Sequence, residues 1–426
     1  MTLLLLGCAP EARLASRDLG SPEVEDAGDV IAPPEEVPVG PNRPTITPAT
    51  LPPGFEPEPV EGDDAVTGDP GPWDPSGDFL YDDTVVHEFS ITLDDDAIDD
   101  LYGDPATDVA ADFTFEGATW HDVGLKLKGS WSFRTLSGKA AFKIDFGELV
   151  PGLRFRGVRR LTLNNMLQDR SMLHEHVVYW LAANLGIPAP RHAYARVYVN
   201  GELFGLYGVV ESMDEQFVAR AYAHDPGGNL YEGSGDDFTY ARNHYEVEEP
   251  GEPEPYDELD DLVEALERAS GDELLDVYAA RFDRDALFRY LALDAVAGHG
   301  DGYVFNHHNY MVYRAPLTDR WWVSPWGTDQ TFEKDTHVHG TTELPVDGAL
   351  VYRCLADDAC EAVYDEAIRA MADHWEAVDV VGYARDTFAR IEADCEADPR
   401  RESSCEAEDL FDFLAERPDR VRSQVD

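Results

Sequence analysis

The stretch DGYVFNHHNYMVYRAPLTDRWWVSPWGTD, residues 301–329, carries the pattern on which the fold prediction depends. Its middle contains two short strands, NYMVY at 309–313 and RWWV at 320–323, joined by a turn that contains a proline. Polar residues stand on both sides of this hairpin. Asp301 and Asn306 precede it, and Asp329 follows it.

This order matches the chemistry of phosphoryl transfer. Kinases use an aspartate to accept the substrate hydroxyl proton, an asparagine five residues later as a magnesium ligand, and an aspartate just past the next hairpin as the principal magnesium ligand. The sequence therefore predicts Asp301 as the catalytic residue, and Asn306 and Asp329 as ligands of Mg²⁺ or Mn²⁺ bound with ATP. The alternative is that these residues only form turns, which is the commoner role for each of them alone.

Strand patterns dominate the residues before this stretch, and helical patterns dominate those after it. LKLK at 125–128 and FKIDF at 142–146 alternate as half-buried strands do, and Asn200-Gly201 predicts a hairpin turn. Between them, leucines and a valine recur every fourth residue over 173–185 and end at a glycine, which predicts a helix. We expect an acidic mobile loop at 245–261 that leads into a helix around Leu259, Leu262 and Leu266. The fold class is α+β, an atypical protein-kinase-like two-lobed fold with a sheet-rich N-lobe at 79–212 and a helical C-lobe at 213–426.

A lysine on a strand of the first lobe should neutralise the nucleotide phosphates. The chain has five lysines, and four of them lie between residues 126 and 143. Lys143 and Lys128 are the leading candidates and Lys139 follows; alternating lysines that guard an exposed strand edge are the alternative. Glu175, on the predicted helix, pairs with this lysine in the kinase interpretation and is an exposed helix residue in the other. No glycine-rich phosphate-binding motif is present.

Three blocks of the sequence resemble the spore coat protein H (CotH) kinase-like family, over roughly residues 85–332. They are LKGSWS at 127–132 with KAAFKIDF at 139–146, NGELFGLY at 200–207 with Glu211, and residues 301–313 with WGTDQTF at 326–332. The resemblance implies an atypical kinase with a compact fold, in which Asp301 matches the catalytic aspartate and Asp329 a metal-binding aspartate. The resemblance also places Glu211 at the position where the two lobes of the family meet. Gly327 stands where the family commonly has the first acid of a W-D-x-D block.

Composition excludes several other functions. The chain has 33 Lys and Arg against 86 Asp and Glu, so its net charge is -53. Binding to nucleic acid or to an anionic membrane surface requires a basic patch, and neither fits this charge. With 43% hydrophobic residues, the 426-residue chain can still bury a large core.

The first residues predict an exported lipoprotein. MTLLLLGC at 1–8 has the apolar run and the cysteine of a bacterial lipoprotein signal, in which Cys8 is lipidated; the run is short and lacks basic residues, so we expect the true start upstream. Residues 9–78 contain about half of the 28 prolines and predict a disordered acidic tether. We expect a monomer that is lipid-anchored in the bacterial cell envelope, periplasmic or surface-exposed.

The remaining cysteines and a group of histidines complete the candidate residues. Cys354, Cys360, Cys395 and Cys405 form an even set, which in an exported protein predicts two disulfides with three possible pairings. The pairs Cys354 with Cys360 and Cys395 with Cys405 would each close a short loop. A transition-metal site is a further interpretation of five histidines around the 301–329 stretch: His299, His307, His308, His337 and His339.

Two classes of function follow. The first is an extracytoplasmic kinase that transfers phosphate from ATP to Ser or Thr hydroxyls of a protein or peptide substrate, and nucleotidyl transfer would use the same residues. The second is a non-catalytic cell-surface binding or adhesion protein on the same fold. Gly327 favours the second class, whereas Asp301, Asn306 and Asp329 favour the first.

Overall fold

The computed structural model describes residues 65–241, 244–251, 255–271, 273–332 and 336–425. The predicted lipoprotein signal with Cys8, and the predicted tether up to residue 64, lie outside the described residues. The described part mixes strands and helices, so the α+β class is confirmed.

The described strands are β1 (Val66–Thr67), β2 (Val86–Thr92), β3 (Val109–Phe115), β4 (Ala118–Lys128), β5 (Ala141–Asp145), β6 (Arg160–Asn164), β7 (His192–Val199), β8 (Glu202–Val210), β9 (Leu230–Gly233), β10 (Glu246–Glu249), β11 (Tyr310–Ala315) and β12 (Arg320–Pro325). The described helices are α1 (Asp95–Gly103), α2 (His174–Asn184), α3 (Glu215–Ala221), α4 (Pro255–Arg268), α5 (Glu273–Arg281), α6 (Arg284–Val296), α7 (Tyr303–Asn306), α8 (Ala349–Tyr352), α9 (Asp358–Ala377), α10 (Val380–Glu396) and α11 (Glu408–Val425). Short 3₁₀ turns lie at Thr328–Gln330 and Cys354–Ala356.

Seven strands of the first half close into a barrel. Their order is β4-β3-β2-β7-β8-β6-β5, and β5 pairs back onto β4, so that Lys126 lies opposite Lys143. β2 and β7 are parallel, and the other barrel pairs are antiparallel. The predicted strands are present, but their closure into a barrel was not predicted. Closure leaves the barrel strands without free edges.

Aromatic side chains fill the barrel. Alternate residues of β2 and β3 point inward, and Phe89 and Phe113 are fully buried among them. Phe113 meets Phe155 at 5.1 Å between ring centroids, close to edge-to-face. The hairpin of β7 and β8 turns at Asn200 and Gly201, which both have positive φ, as the sequence predicts.

A second, smaller sheet contains the β11–β12 hairpin. Its order is β10-β9-β11-β12, and all of its pairs are antiparallel. The predicted hairpin at 309–323 is therefore confirmed. The helix predicted around Leu259, Leu262 and Leu266 is confirmed as α4. The predicted loop before it is wrong in its described part, because that part contains β10 and the first half of α4.

Helix α6 is the central helix of the second half, since it is buried on almost every face. α9 and α11 pack around it, and Trp375 of α9 donates its indole N–H to the Leu414 carbonyl of α11 at 3.0 Å. Arg417 of α11 donates to the carbonyls of Ala295 and Val296 at the C-terminal end of α6. A cation there satisfies carbonyls that a helix end leaves unpaired. This contact holds the end of α6, from which the Asp301 turn begins.

Residues before 79, the predicted start of the folded region, already contact the barrel. Val66 and Thr67 pair with β4, and Ala65 and Val66 pack against the barrel core. Arg156 also donates to the Pro70 carbonyl at 2.5 Å. The last part of the predicted tether is therefore ordered against the barrel.

Both disulfides join cysteines that are close in the sequence. They are Cys354–Cys360 and Cys395–Cys405, so the prediction of two disulfides is confirmed and the pairing is decided. Within the described residues, no helix combines the length and the apolar character needed to span a membrane.

Candidate active site

Three side-chain amides hold the carboxylate of Asp301. Asn306 Nδ2 donates to Oδ1 at 2.6 Å, and Asn309 Nδ2 donates to Oδ2 at 2.9 Å. Gln330 Nε2 donates to the same Oδ2 at 3.1 Å. A carboxylate has about four lone-pair positions, so three donors leave one for a further hydrogen bond.

The chain reverses tightly between Asp301 and β11. Helix α7 has a single turn and ends at Asn306, after which His307 and Asn309 adopt left-handed backbone angles, with φ of 42° and 54°. Asparagine tolerates this conformation better than most residues. The reversal brings both asparagine side chains back onto Asp301.

Asp329 lies in the 3₁₀ turn that follows β12. His174 Nδ1 donates to its main-chain oxygen at 2.9 Å. Burial raises the pKa of the Asp329 carboxyl to about 7, and the charge of Glu175 adds to this rise, whereas His299 and Lys128 oppose it. A bound cation would therefore stabilise the ionised form of this carboxyl.

The two polar turns that flank the hairpin meet. Gln330, next to Asp329, bonds to Asp301 through its side chain, and its main-chain oxygen accepts from Gly300 at 3.3 Å. Phe332 N donates to the Ala297 carbonyl at 2.9 Å. The structure thus brings Asp301 and Asn306 into direct contact and places Asp329 on the adjoining turn.

Lys128 and Lys143 line a cleft between the barrel and the second sheet. Arg160 adds a third cation to the lining of this cleft. The carboxyl groups of Asp214, Glu232 and Glu248 also line the cleft. The full lining is Lys128, Lys143, Arg160, Thr162, Ser212, Met213, Asp214, Glu232, Glu248, Met311 and Trp326.

Two carboxyl groups that line the cleft have raised pKa values. Burial raises the pKa of Glu232 to about 7, with Glu248 adding to the rise and Lys143 opposing it. Burial and the neighbouring Glu215 raise the pKa of Asp214 to about 7 as well. At neutral pH these carboxyls therefore carry less negative charge than their number suggests, which favours an anionic ligand beside the cations.

Lys128 connects the cleft with the Asp329 turn. Burial lowers the pKa of Lys128, and the negative charges of Glu175, Asp329 and Glu232 counter that effect. Lys128 is therefore within electrostatic reach of Asp329, a predicted metal ligand.

Glu175 is buried on α2 and is not the exposed helix residue of the alternative interpretation. Asn164 Nδ2 and the Tyr179 hydroxyl donate to its carboxylate, at 2.5 Å and 3.1 Å. Burial raises its pKa, and the charge of Lys128 opposes the rise. Among the described residues Glu175 makes no direct ion pair with Lys128, so the two interact across a gap.

Glu211 and Lys139 are not among the residues that line the cleft. Arg191 and Arg220 form ion pairs with the Glu211 carboxylate, with N–O distances of 2.7 Å and 2.5 Å. Burial alone would raise the pKa of Glu211, but the two arginines lower it to about 2. Lys139 is fully buried and pairs with Asp398 at 2.6 Å. The structure therefore does not bring these two candidates together with Lys128.

The comparison with known families decides what kind of protein carries this site. A family model described as "CotH kinase protein" matches residues 125–421, which is most of the chain and includes the whole site. The chain belongs to the CotH kinase family.

Curated relatives include proteins with different names. Inner spore coat protein H of Bacillus subtilis is 27% identical over 195 residues, which are 43% of this chain and 52% of that protein. Invasin CotH2 of Rhizopus delemar is 25% identical over 284 residues, 59% of this chain and 46% of that protein. Invasin CotH3 of the same organism is 24% identical over 315 residues, 68% and 50% of the two chains. The chain thus spans about half the length of the curated relatives that it matches.

Gly327 lies in close contact with the side chain of Asn309. Its φ of 52° is left-handed, and a Cβ there would lie 2.7 Å from Asn309 Oδ1. Glycine therefore lets Asn309 approach closely while Asn309 Nδ2 holds Asp301. An acidic side chain at position 327 would require Asn309 to move.

Three of the five candidate histidines pair with three different carboxylates. His299 Nδ1 donates to Asp294 Oδ1 at 2.8 Å, His307 pairs with Asp347 and His339 with Asp365. Within the described ranges, no group of three or more His, Cys, Asp or Glu side chains could hold a metal ion. The transition-metal interpretation therefore receives no support from this structure.

Three residues of the site were not predicted from the sequence. Asn309 and Gln330 hold Asp301, and Asp294 bonds both to His299 and to the Val304 main-chain N–H, at 2.8 Å and 2.9 Å. The available signal for Asp294 was an acidic residue among the apolar residues of a buried helix, a placement that requires partners. Asn309 and Gln330 carried no such signal.

Proposed function

We propose that this CotH-family chain is an extracytoplasmic atypical protein kinase, which transfers the γ-phosphoryl group of ATP to Ser or Thr hydroxyls of a protein or peptide substrate. The observation that carries the proposal is the hydrogen bond from Gln330 to Asp301. It joins the two polar turns that flank the β11–β12 hairpin, as phosphoryl transfer with these residues requires.

Asp301 orients the acceptor hydroxyl and accepts its proton, using the carboxylate position that Asn306, Asn309 and Gln330 leave open. Asn306 donates through Nδ2, so its amide oxygen is the atom that can bind a metal. This oxygen and the Asp329 carboxylate are hard oxygen donors, which suit Mg²⁺ or Mn²⁺. When bound there, such an ion would supply positive charge against the phosphates.

Lys128 and Lys143 hold the phosphates at the barrel side of the cleft, with Arg160 beside them. Lys128 is the leading member, because the charges of Asp329 and Glu175 act on it. Met213, Met311 and Trp326 provide an apolar wall on which a nucleotide base can pack.

In this proposal the barrel serves as the N-lobe of a kinase-like fold, and the second sheet with the later helices serves as the C-lobe. The cleft then lies where the two lobes meet. Glu211 fits this arrangement as a structural residue at the end of β8, since two arginines hold its carboxylate.

The proposed location is the bacterial cell envelope. The supporting observation is the apolar run before Cys8, followed by a proline-rich acidic segment. Labelled palmitate should mark the full-length monomeric protein in the membrane fraction, and Cys8→Ala should abolish the label. An unlabelled, soluble wild-type protein would contradict the proposed lipid anchor.

Labelled ATP tests the enzymatic proposal most directly. Purified protein is incubated with Mg²⁺ or Mn²⁺, a Ser- and Thr-containing acceptor, and either γ- or α-labelled ATP. Transfer of the γ label alone supports a kinase, and transfer of the α label shows nucleotidyl transfer. Asp301→Asn should slow transfer on the order of 10²–10⁴-fold, whereas Asp319→Asn, at an exposed residue of the same hairpin, should not.

The second candidate is a non-catalytic surface binding protein. Two relatives are named invasins, and Gly327 removes an acid that the family commonly has. Calorimetry decides between the candidates, because wild-type protein that binds no ATP with either metal would favour the binding protein.

A further inference from the structure

The loop between β4 and β5, residues 129–140, joins the strands that carry Lys128 and Lys143. We call it the cleft loop. Its Trp131 is 88% exposed, whereas Lys139 near its end is fully buried. A loop that buries a lysine and exposes a tryptophan inverts the usual placement of both residues. Something outside the loop must therefore hold it in this conformation.

A second loop supplies the partner of Lys139. Residues 396–404 are closed into a ring by the Cys395–Cys405 disulfide, and we call them the disulfide loop. Asp398 in this loop pairs with Lys139 at 2.6 Å, and both side chains are fully buried. Asp398 Oδ2 also accepts from the Leu206 main-chain N–H at 3.1 Å.

Two arginine contacts join the same pair of loops. Arg400 of the disulfide loop donates to the Leu136 and Gly138 carbonyls at 3.0 Å and 2.9 Å. Arg134 of the cleft loop forms a two-bond pair with Glu402, with both distances at 2.5 Å. The disulfide loop thus contacts both the side chains and the main chain of the cleft loop.

The barrel is shaped to receive Asp398. Gly205 on β8 has a φ of 134°, and a Cβ at this position would collide with the Asp398 carboxylate. The Lys139 ammonium lies 5.2 Å from the Tyr207 ring, and the Tyr207 hydroxyl donates to the Ala140 carbonyl at 2.7 Å. A buried ammonium is tolerated only while its partner stays in place, so the position of Asp398 controls that of the cleft loop.

We propose that Asp398 is a positioning residue for the cleft: through Lys139 it fixes the loop that joins the strands carrying Lys128 and Lys143, and the Cys395–Cys405 disulfide keeps Asp398 in reach. The consequence for ligand binding rests on the proposed function, since the ligand is a nucleotide. Opening the disulfide by exchange with a dithiol, which is itself oxidised, leaves two cysteine thiols and frees the disulfide loop. Nucleotide affinity should then fall while the Asp301 turn stays intact.

The test compares two disulfide variants of the full chain. Cys395→Ser/Cys405→Ser opens the disulfide loop, and Cys354→Ser/Cys360→Ser is the matched control at the start of α9. Amide hydrogen exchange of residues 129–140 should rise in the first variant and remain unchanged in the control. The KM for ATP should rise about tenfold in the first variant with kcat within about twofold, because the affected interaction binds the ligand without taking part in the chemical step.

A second variant guards against simple misfolding. Lys139→Met/Asp398→Asn removes the ion pair without leaving a lone buried charge, and the asparagine can still accept from Leu206 N. It should reproduce both the faster exchange and the higher KM. Unchanged exchange in both variants overturns the inference, as does faster exchange with an unchanged KM. If the wild type binds no ATP, the proposed function fails together with the nucleotide part of this inference, and the exchange result still decides whether Asp398 holds the cleft loop.

Discussion

The side-chain amide of Asn306 donates to Asp301 Oδ1 at 2.6 Å, so the two residues that the sequence places five positions apart are in direct contact. The contact orients both groups. Asp301 keeps one lone-pair position open, and Asn306 is left with its amide oxygen as the possible metal ligand.

Substitution of the two aspartates should separate binding from transfer. Asp301→Ala should bind Mg²⁺-ATP with near wild-type affinity but transfer phosphate on the order of 10²–10⁴-fold more slowly, because only proton removal and acceptor alignment are lost. Asp329→Ala should lose metal-dependent binding and transfer together. Calorimetry and label transfer on the same preparations measure both effects. Tight Mg²⁺-ATP binding by Asp329→Ala would exclude Asp329 as the principal metal ligand.

Substitution of Lys126 and of Lys128 on β4 should affect ATP binding differently, although the two residues are only two positions apart. Lys128→Met should weaken ATP binding about tenfold to hundredfold, the value of one charged hydrogen bond. Lys126→Met is the control, since Lys126 pairs with Asp108 at 2.9 Å and does not line the cleft. Titration calorimetry with Mg²⁺-ATP compares them. Equal affinities for both variants would remove Lys128 from the phosphate site and direct attention to Lys143.

The Glu211 ion pairs should make stability depend on acid pH. Arg191 and Arg220 lower the pKa of Glu211 from 4.5 to about 2, so the paired carboxylate is worth at most about 3 kcal/mol. Because the folded-state pKa is the lower one, this stability is complete above pH 4.5 and is lost as the pH falls toward 2. The difference in melting temperature between wild type and Glu211→Gln should therefore shrink over that range.

Glu376→Gln is the control for this experiment, because Glu376 pairs with Arg422 on the exposed surface, where solvent screens the interaction. It should change the melting temperature little at any pH. A wild-type advantage over Glu211→Gln that persists undiminished at pH 2 would show that the ion pairs are not its source.

Two glycines of the β7–β8 hairpin should respond differently to alanine. Gly205→Ala should destabilise the protein by at least about 2 kcal/mol more than Gly201→Ala, because a Cβ at Gly205 meets the Asp398 carboxylate and Gly201 faces open space. Both glycines have positive φ, 82° at Gly201 and 134° at Gly205, so alanine is strained at both positions and more so at Gly205. Denaturant unfolding measures the difference, and equal losses would contradict the predicted collision.

Local patterns in the sequence predicted the elements around the site. The alternation of β4 and β5, the four-residue spacing of α2 and the Asn200-Gly201 turn each depend on neighbours a few residues away. The same holds for the hairpin between Asp301 and Asp329, whose order along the chain was enough to single out these residues. The even set of cysteines predicted two disulfides but left three pairings open.

Only the tertiary structure determined which partner each charged side chain has and whether it is buried. The sequence offered Lys143 and Lys128 as leading candidates with Lys139 behind them. Only the fold shows that Lys139 is buried against Asp398 and that the other two line the cleft. Glu211 is likewise held by Arg191 and Arg220. The physical reason is that the partner of a buried charge is set by which distant surfaces meet, and no local pattern records that meeting. The closing of β5 onto β4, which turns a predicted sheet into a barrel, depends on the same long-range contacts.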